Sequence, residues 1–300
     1  MILVTGGTGH LGPELIPLLT ARGLPVRVLT RDPARARNRL GNGAEFITGD
    51  ARNTPHLARA VAGVESIVSA MCGFGLGEAG PQAVDGDGNL GLIRAAEAAG
   101  VRRFVLISMH GAAADHPLEL LRMKWRAEQA LRTSRLDWTI VRPTVFLELW
   151  AGIVGDPIAT KGKATVYGRG TNPINFNSVK DVARFVELAL VDPALSRTAL
   201  DVGGPDNVTF NDLVQRIERA TGRAAAVRHI PLPVMRLSSA LMGPLKPDLA
   251  RMIRAGVSMD TTDMSFDATE LRRRFPQVQL TTVAEVIQAR YGKVAAAAAR

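Results

Sequence analysis

Between residues 2 and 143, short apolar runs rich in Val, Ile and Leu alternate with segments of helical character. The runs are ILVTG, PVRVLTR, AEFITGD, ESIVSA, RRFVLIS and DWTIVRP. Most lack a polar–apolar alternation, so both faces need cover, as in parallel strands packed between helices. The intervening stretches predict helices over 10–21, 82–99 and 117–133. Leu11, Leu15, Leu18 and Leu19 form the apolar stripe of the first. Two shorter helices open on Asp32-Pro33 and on Asn53-Thr54-Pro55, a capping side chain followed by proline. Strand–helix repeats of this length require right-handed crossovers. The predicted class is therefore α/β, with a doubly wound parallel sheet.

After Pro143 the rhythm changes. TVFLELWAGIV reads as helical, KATVYG and NPINFN as short strands, and SVKDVARFVELALVD as a helix capped by Ser178. RTALDVGG returns as a strand, and residues 205–291 read as mainly helical, broken at Pro231, Pro233, Pro244 and Pro247. The expected organisation is a nucleotide-binding domain over 1–203 with cleft-forming insertions, a smaller substrate-side lobe over 204–294, and a low-complexity tail over 295–300. Hydrophobic residues make up 46% and charged residues 22%, enough for a core and against extended disorder. The net charge is +9, but Lys and Arg are scattered and no nucleic-acid-binding motif accompanies them. A single cysteine, Cys72, excludes an intrachain disulfide and a cysteine zinc cluster; it is expected as a buried small residue in a reducing compartment. A strand from residue 2 leaves no room for a signal peptide, and no eighteen-residue apolar run is present, so a cytoplasmic protein without membrane insertion is expected. No spacing of Asp, Glu and His suggests a metal site.

The turn after the first strand reads Gly6-Gly7-Thr8-Gly9-His10-Leu11-Gly12. Gly7, Gly9 and Gly12 satisfy G-x-G-x-x-G, and Gly6, Gly9 and Gly12 satisfy G-x-x-G-x-x-G. One glycine takes a positive φ, one lets the backbone approach a pyrophosphate, and one lets the helix pack against the strand. The helix N-terminus then offers N–H groups to the anion. The spacing is not that of a P-loop, and no Gly-Lys-Ser/Thr follows. A dinucleotide is the expected ligand. Its type is set where strand two ends in Leu29-Thr30-Arg31 rather than in a carboxylate. Arg31, with Thr30 and at longer reach Arg35, favours the 2′-phosphate of NADP(H) over NAD(H). Asp32 is expected to cap its helix. Asp50 is placed to accept from the adenine amino group, and Ser69, Ala70 and Met71 to pass beneath the adenine-side ribose and pyrophosphate. Phe74 with Gly73, Gly75, Gly77 and Gly80 forms a loop that is either a flap or a plain connection. At the C-terminal strand ends, Ser108, His110, Lys124, Pro143 and Thr144 are expected to converge on the cleft.

TGGTGHLG, VRVLTRDP, EFITGDARN, VRRFVLIS, KWRAEQALRTSRLDWTIVRPTVFLE and NFNSVKDVARF together resemble the atypical branch of the short-chain dehydrogenase/reductase superfamily. The chain is similar there to NmrA-like, isoflavone-reductase-like and NAD(P)H:quinone-reductase-like proteins, over roughly residues 1–203. The resemblance implies a Rossmann fold with a small substrate-side lobe, NADP(H) as cofactor and a small-molecule substrate. Many members place a tyrosine four residues before a lysine, as proton donor and ribose ligand. Here Lys124 fits the lysine position, but Leu120 stands in place of the tyrosine, and the two tyrosines are Tyr167 and Tyr291. The isoflavone-reductase-like branch works with the lysine alone, so Lys124 is the leading catalytic candidate. His110 stands beside it as an alternative acid or substrate anchor, and Ser108 as a hydrogen-bond donor. Phe74, Phe146 and Trp150 are candidates for an apolar wall, Trp138 for packing. Asn175 and Asn177 are candidates for binding backbone or substrate groups, and Asp181 for the first turn of its helix. Three readings stay open: an NADPH-dependent reductase of a quinone or similar electron-poor molecule, a non-catalytic NADP(H) sensor with a protein partner, and an epimerase or dehydrogenase with an unusual acid. The oligomeric state is open.

Overall fold

The computed structural model describes residues 1–298, with side chains through 292. The chain divides into two compact units, Met1–Pro143 with Val182–Val202, and Thr144–Asp181 with the residues from Gly203 onward. This differs from the expected single boundary after 203. Residues 144–181 share a core with the C-terminal residues and not with the sheet.

In the first unit, β1 (Ile2–Thr5), β2 (Val26–Thr30), β3 (Glu45–Thr48), β4 (Ser66–Ser69), β5 (Arg103–Ile107) and β6 (Asp137–Pro143) fall where the apolar runs predict. RTALDVGG contributes a seventh strand, Thr198–Val202, in register Thr198↔Thr139 against β6. In the sheet it lies at one edge, followed by β6, β5, β4, β1, β2 and β3, and every neighbour pair is parallel. All of β1 and β5 is buried. Leu3, Phe104, Leu106 and Ile140 meet Leu57 and Leu92 from the covering helices. The order reverses between β1 and β4, where Thr5 pairs with Ser69. A doubly wound sheet leaves its ligand crevice at such a switch, outside the carboxyl ends of the strands.

The helices are α1 (Gly12–Ala21), α2 (Pro33–Leu40), α3 (Thr54–Val61), α4 (Asn89–Ala98) and α5 (Glu119–Thr133). Asp32 accepts from the Arg35 amide at 3.0 Å and Asn53 from the His56 amide at 3.1 Å, the caps read from sequence. The helix expected over 82–99 instead opens as a π-helical segment, Gln82–Gly88, before α4. That wider turn carries Asp85 into the protein, wholly buried.

The second unit holds β7 (Val145–Phe146), α6 (Leu147–Trp150), α7 (Asp156–Lys161), β8 (Lys163–Tyr167) and β9 (Ile174–Asn177). Next comes α8 (Val179–Val191), which begins in this unit and ends in the first. Beyond β10, the sheet-edge strand Thr198–Val202, lie β11 (Asp206–Val208), α9 (Phe210–Thr221), β12 (Ala226–Ile230), α10 (Leu232–Met242), α11 (Pro247–Thr261), α12 (Thr269–Arg274) and α13 (Val283–Ala298). β11, β9 and β7 form one small sheet, and β12 pairs with β8 in another. The two strands in the expected helical region, β11 and β12, are only three and five residues long; β12 is exposed along most of its length, so no buried face marks it. Phe176, Phe210, Leu213 and Ile217 centre the core, with the Trp150 ring 4.9 Å from that of Phe210. Trp150 thus serves packing here. The tail expected at 295–300 is traced only as the end of α13; residues 299–300 lie outside the described residues.

Candidate functional site

The glycine turn leaves β1 at the switch point. Gly6 has φ +72°, and a Cβ there would overlap the Ala70 carbonyl at the end of β4. A Cβ on Gly12 would overlap the Gly7 carbonyl, so this glycine brings α1 back onto the turn. The Gly9 amide donates to Gly6 O at 3.0 Å and closes the loop. Leu11, at the N-cap, makes no side-chain cap, and Pro13 carries no N–H. No side chain caps the first turn of α1, where the Glu14 amide turns back to Leu11 O at 3.2 Å, and the helix end presents partial positive charge. Leu11 is buried, while Gly9 and His10 are exposed at the rim and Thr8 is half-buried. A cradle lined by backbone and closed to side chains fits a dinucleotide pyrophosphate.

On the adenine side, Thr30 is buried and its hydroxyl accepts from the Asp32 amide at 3.2 Å. Arg31 and Arg35 are exposed, and the Arg31 guanidinium lies 3.7 Å from Glu78 in the glycine-rich loop. Arg39, which the sequence reading passed over, reaches from the last turn of α2 to the Gly9 carbonyl at 3.3 Å. Asp50 is gripped by Arg52, at 2.5 Å to Nη2 and 2.9 Å to its amide. That hydrogen bonding, helped by the Arg31 charge and opposed by partial burial, holds the carboxyl down at about 2. The structure thus brings Arg31 near Asp50 and already gives the carboxylate a partner.

The end of β4 is anchored by buried polar groups. The Thr5 hydroxyl donates to Ser69 at 3.3 Å, Ser69 donates to Asn89 Oδ1 at 2.6 Å, and the Asn89 amide reaches the Asp85 carbonyl at 2.8 Å. Lys124 is buried. Its ammonium lies 2.8 Å from Met71 O, 3.0 Å from Ile107 O and 2.9 Å from Asp85 Oδ1. The two carbonyls take hydrogen bonds from it and the Asp85 carboxylate is its ion-pair partner, so it ties together the ends of β4 and β5. Burial works against its charge, but the adjacent Asp85 carboxylate outweighs it and raises the pKa. Asp85 also accepts from the Gly73 amide at 2.8 Å and pins the start of the glycine-rich loop. Cys72, expected as buried, is an exposed residue. Neighbouring atoms around its thiol, and then the Asp85 charge, push it up to about 11.

Ser108 and His110 part company. The Ser108 side chain is buried and donates to Glu128 Oε1 at 2.5 Å, which turns its hydroxyl away from solvent. Glu128 is wholly buried and takes Arg142 Nε at 2.9 Å and Nη2 at 2.5 Å. His110 is exposed, its amide donating to Pro143 O at 2.9 Å and its Nδ1 lying 2.9 Å from Asp201 Oδ1. Burial raises the Asp201 pKa, but the His110 hydrogen bond and the charges of His110 and Arg142 bring it below the usual range. His116 accepts from the Leu118 amide at 3.0 Å, and burial lowers its pKa. In the second unit, Thr144 donates to Asn175 Oδ1 at 2.8 Å and accepts from Asn177 at 3.1 Å, while Asn175 bridges to Gly204. These amides therefore serve backbone and side-chain groups of their own unit. Ser178 caps α8 together with Glu148, and Asp181, in the first turn of α8, accepts from the Thr281 amide and hydroxyl. The Tyr291 hydroxyl donates to Ala151 O at 2.6 Å, and its pKa is raised by burial. Asp85, Glu128, Arg142 and Asp201 carried no local signal: each is one charged residue whose partner is remote in sequence.

A family model described as NAD(P)H-binding matches residues 6–193. The NAD(P)H azoreductase of Xenophilus azovorans is 30% identical over 248 residues, 83% of this chain and 82% of that protein. The photosystem II assembly factor Ycf39 of Synechocystis is 28% identical over 235 residues, 78% of this chain and 72% of that protein. Among solved structures, the Escherichia coli NADPH-dependent quinone oxidoreductase QOR2 with NADPH superposes with a TM-score of 0.77 at 20% identity, over 97% of this chain and 100% of that one. The Citrobacter triphenylmethane reductase with NADP(H) gives 0.77 at 19% identity, over 96% and 99%. At such identity the structural matches speak for the fold, and the family match together with the glycine cradle for the ligand class. The chain belongs to the NAD(P)H-binding family, in the NmrA-like atypical branch of the short-chain dehydrogenases/reductases.

Proposed function

We propose that this chain is an NADPH-dependent reductase of a quinone or a similar electron-poor small molecule, working in the cytoplasm. The observation that carries the reading is the backbone cradle at Gly6–Gly12, closed to side chains at the point where the sheet order reverses. The amides of residues 6–12 hold the pyrophosphate, and the strand end Ser69–Met71 supports the adjoining ribose. Arg31, aided by Arg35 and Arg39, favours a 2′-phosphate. When bound, the reduced nicotinamide supplies hydride from C4. Lys124 holds the ends of β4 and β5 that border it. Leu120 cannot donate a proton, which favours acceptors whose reduction needs little acid help. Similarity to an azoreductase supports an electron-poor acceptor. Calorimetry should find NADPH binding tighter than NADH, and NADPH should be oxidised in the presence of some member of a panel of quinones, azo dyes and enones. No binding, or no turnover across the panel, overturns the reading.

A second reading is an NADP(H)-dependent protein-interaction factor. It is favoured by the similarity to Ycf39 and by a family-position lysine held on two backbone carbonyls and the Asp85 carboxylate. A partner retained in pull-down with one redox form of the nucleotide only, without turnover, would select it.

A further inference from the structure

We propose that the hairpin of α10 and α11 docks this chain peripherally on an anionic lipid surface; the inference concerns the second unit alone and does not depend on the reductase reading. Among the described residues nine large apolar side chains are exposed, and four of them fall between residues 234 and 245. These are Val234 at 50%, Leu237 and Leu241 at 62% each, and Leu245 at 75%. Single exposed leucines are ordinary on a protein surface, whereas a row of them marks a contact face.

The row follows from helix geometry. At helical spacing Val234, Leu237 and Leu241 project within about 60° of arc. Met235 and Ser239 take the other side of α10 and are buried. Met235 packs so closely on α11 that a Cβ on Gly256 would lie 3.0 Å from its Cε. The inner face of α10 therefore has its partner within the hairpin, and the outer face is left over. Leu245 extends the row past the helix end, in the turn braced by Pro244 and Pro247. That turn closes on itself, the Leu245 and Lys246 amides both donating to Met242 O, at 3.1 and 2.7 Å. These two donors keep their acceptor on entering an apolar medium.

Charge decides what covers the row. Between residues 228 and 254 stand Arg228, Arg236, Lys246, Arg251 and Arg254, against the single carboxylate of Asp248. Arg228, Arg236, Lys246 and Arg254 are exposed. A second copy of the chain would set this cationic face against its like. An anionic surface attracts it, and leucines on one side with arginine and lysine around them are the pattern of a helix lying in the plane of a bilayer. The row is aliphatic, with no hydroxyl, amide or aromatic group to orient a partner. A fluid acyl layer asks only for area, whereas a folded partner asks for shape and directed polar contacts. With 11 residues α10 is too short to span the hydrocarbon core, so the contact is interfacial.

The test uses the whole chain. Wild type should sediment with vesicles rich in phosphatidylglycerol at low salt and be released as salt rises. Vesicles of phosphatidylcholine alone should retain little of it. Leu237→Asn combined with Leu241→Asn should weaken partitioning at least about tenfold, with the melting temperature unchanged because both side chains already face water. Arg236→Gln and Lys246→Gln should each weaken binding to the anionic vesicles about fivefold. Leu245→Trp should add an emission component that brominated acyl chains quench. No sedimentation of wild type with the anionic vesicles overturns the proposal, as does full binding by the variant lacking both leucines. Dimerisation lost in that variant, without vesicle binding, assigns the face to a second copy. Retention of a protein partner through the same leucines, without vesicle binding, assigns it to that partner. Either result overturns the proposal. NADPH binding and oxidation test the reductase reading separately.

Discussion

Replacing Lys124 with Met keeps the length of the side chain and removes its charge. The change strips the wholly buried Asp85 of its cation, leaving the Gly73 amide at 2.8 Å, and takes the donor from Met71 O and Ile107 O. Breaking a buried ion pair by removing one partner costs about 3–5 kcal/mol. The two bared carbonyls belong to the same network, so their loss does not add in full. A cost of about 4 kcal/mol is a large share of the roughly 5–15 kcal/mol that holds a typical domain together. Urea denaturation followed by circular dichroism measures it. The double variant Asp85→Asn with Lys124→Met should recover much of the loss, because the stranded charge is gone. Lys124→Met within about 1 kcal/mol of wild type would refute the reasoning and return the lysine to the cleft as a ribose ligand. The pH dependence has a definite sign. The folded-state pKa of Lys124 lies above its unfolded value of about 10.4, so the stabilisation is complete below that pH and is lost as pH rises through the folded value.

Gly6→Ala forces a side chain into a left-handed backbone against the Ala70 carbonyl, so NADPH affinity should fall at least about tenfold and stability by about 1–3 kcal/mol, read by calorimetry and thermal melting. Glu78→Gln removes an exposed counter-charge 3.7 Å from Arg31; such a pair contributes at most about 1 kcal/mol, so NADPH should bind up to about fivefold tighter with NADH unchanged, and equal gains for both would separate Arg31 from the 2′-phosphate. Asp50, held at about 2, contributes stability that is present above its unfolded value near 3.9 and is lost as pH falls toward 2. Because Arg52 is largely exposed the effect is under about 1 kcal/mol, and Arg52→Gln should flatten this part of an acid titration.

The six strands, the glycine turn and the proline-marked caps were legible because each is decided by neighbours a few residues away. A cap joins Asp32 to Arg35, a strand is a run of apolar side chains, and a positive φ at Gly6 needs only the absence of a Cβ. The seventh strand was legible as a strand, but its place beside β6 followed from the sheet. Buried charge followed a different rule. A carboxylate taken out of water needs a donor wherever the fold brings one, and here that donor is Arg142, 14 residues from Glu128, or Lys124, remote in sequence from Asp85. The same packing turned Ser108 inward, drew Lys124 from a presumed ribose contact onto two strand ends, and assigned residues 144–181 to the second core. The sequence by itself determined which ligand class the turn accepts. Only the tertiary structure decided which polar side chains near it are taken up inside the protein, because that depends on partners the chain must fold to meet.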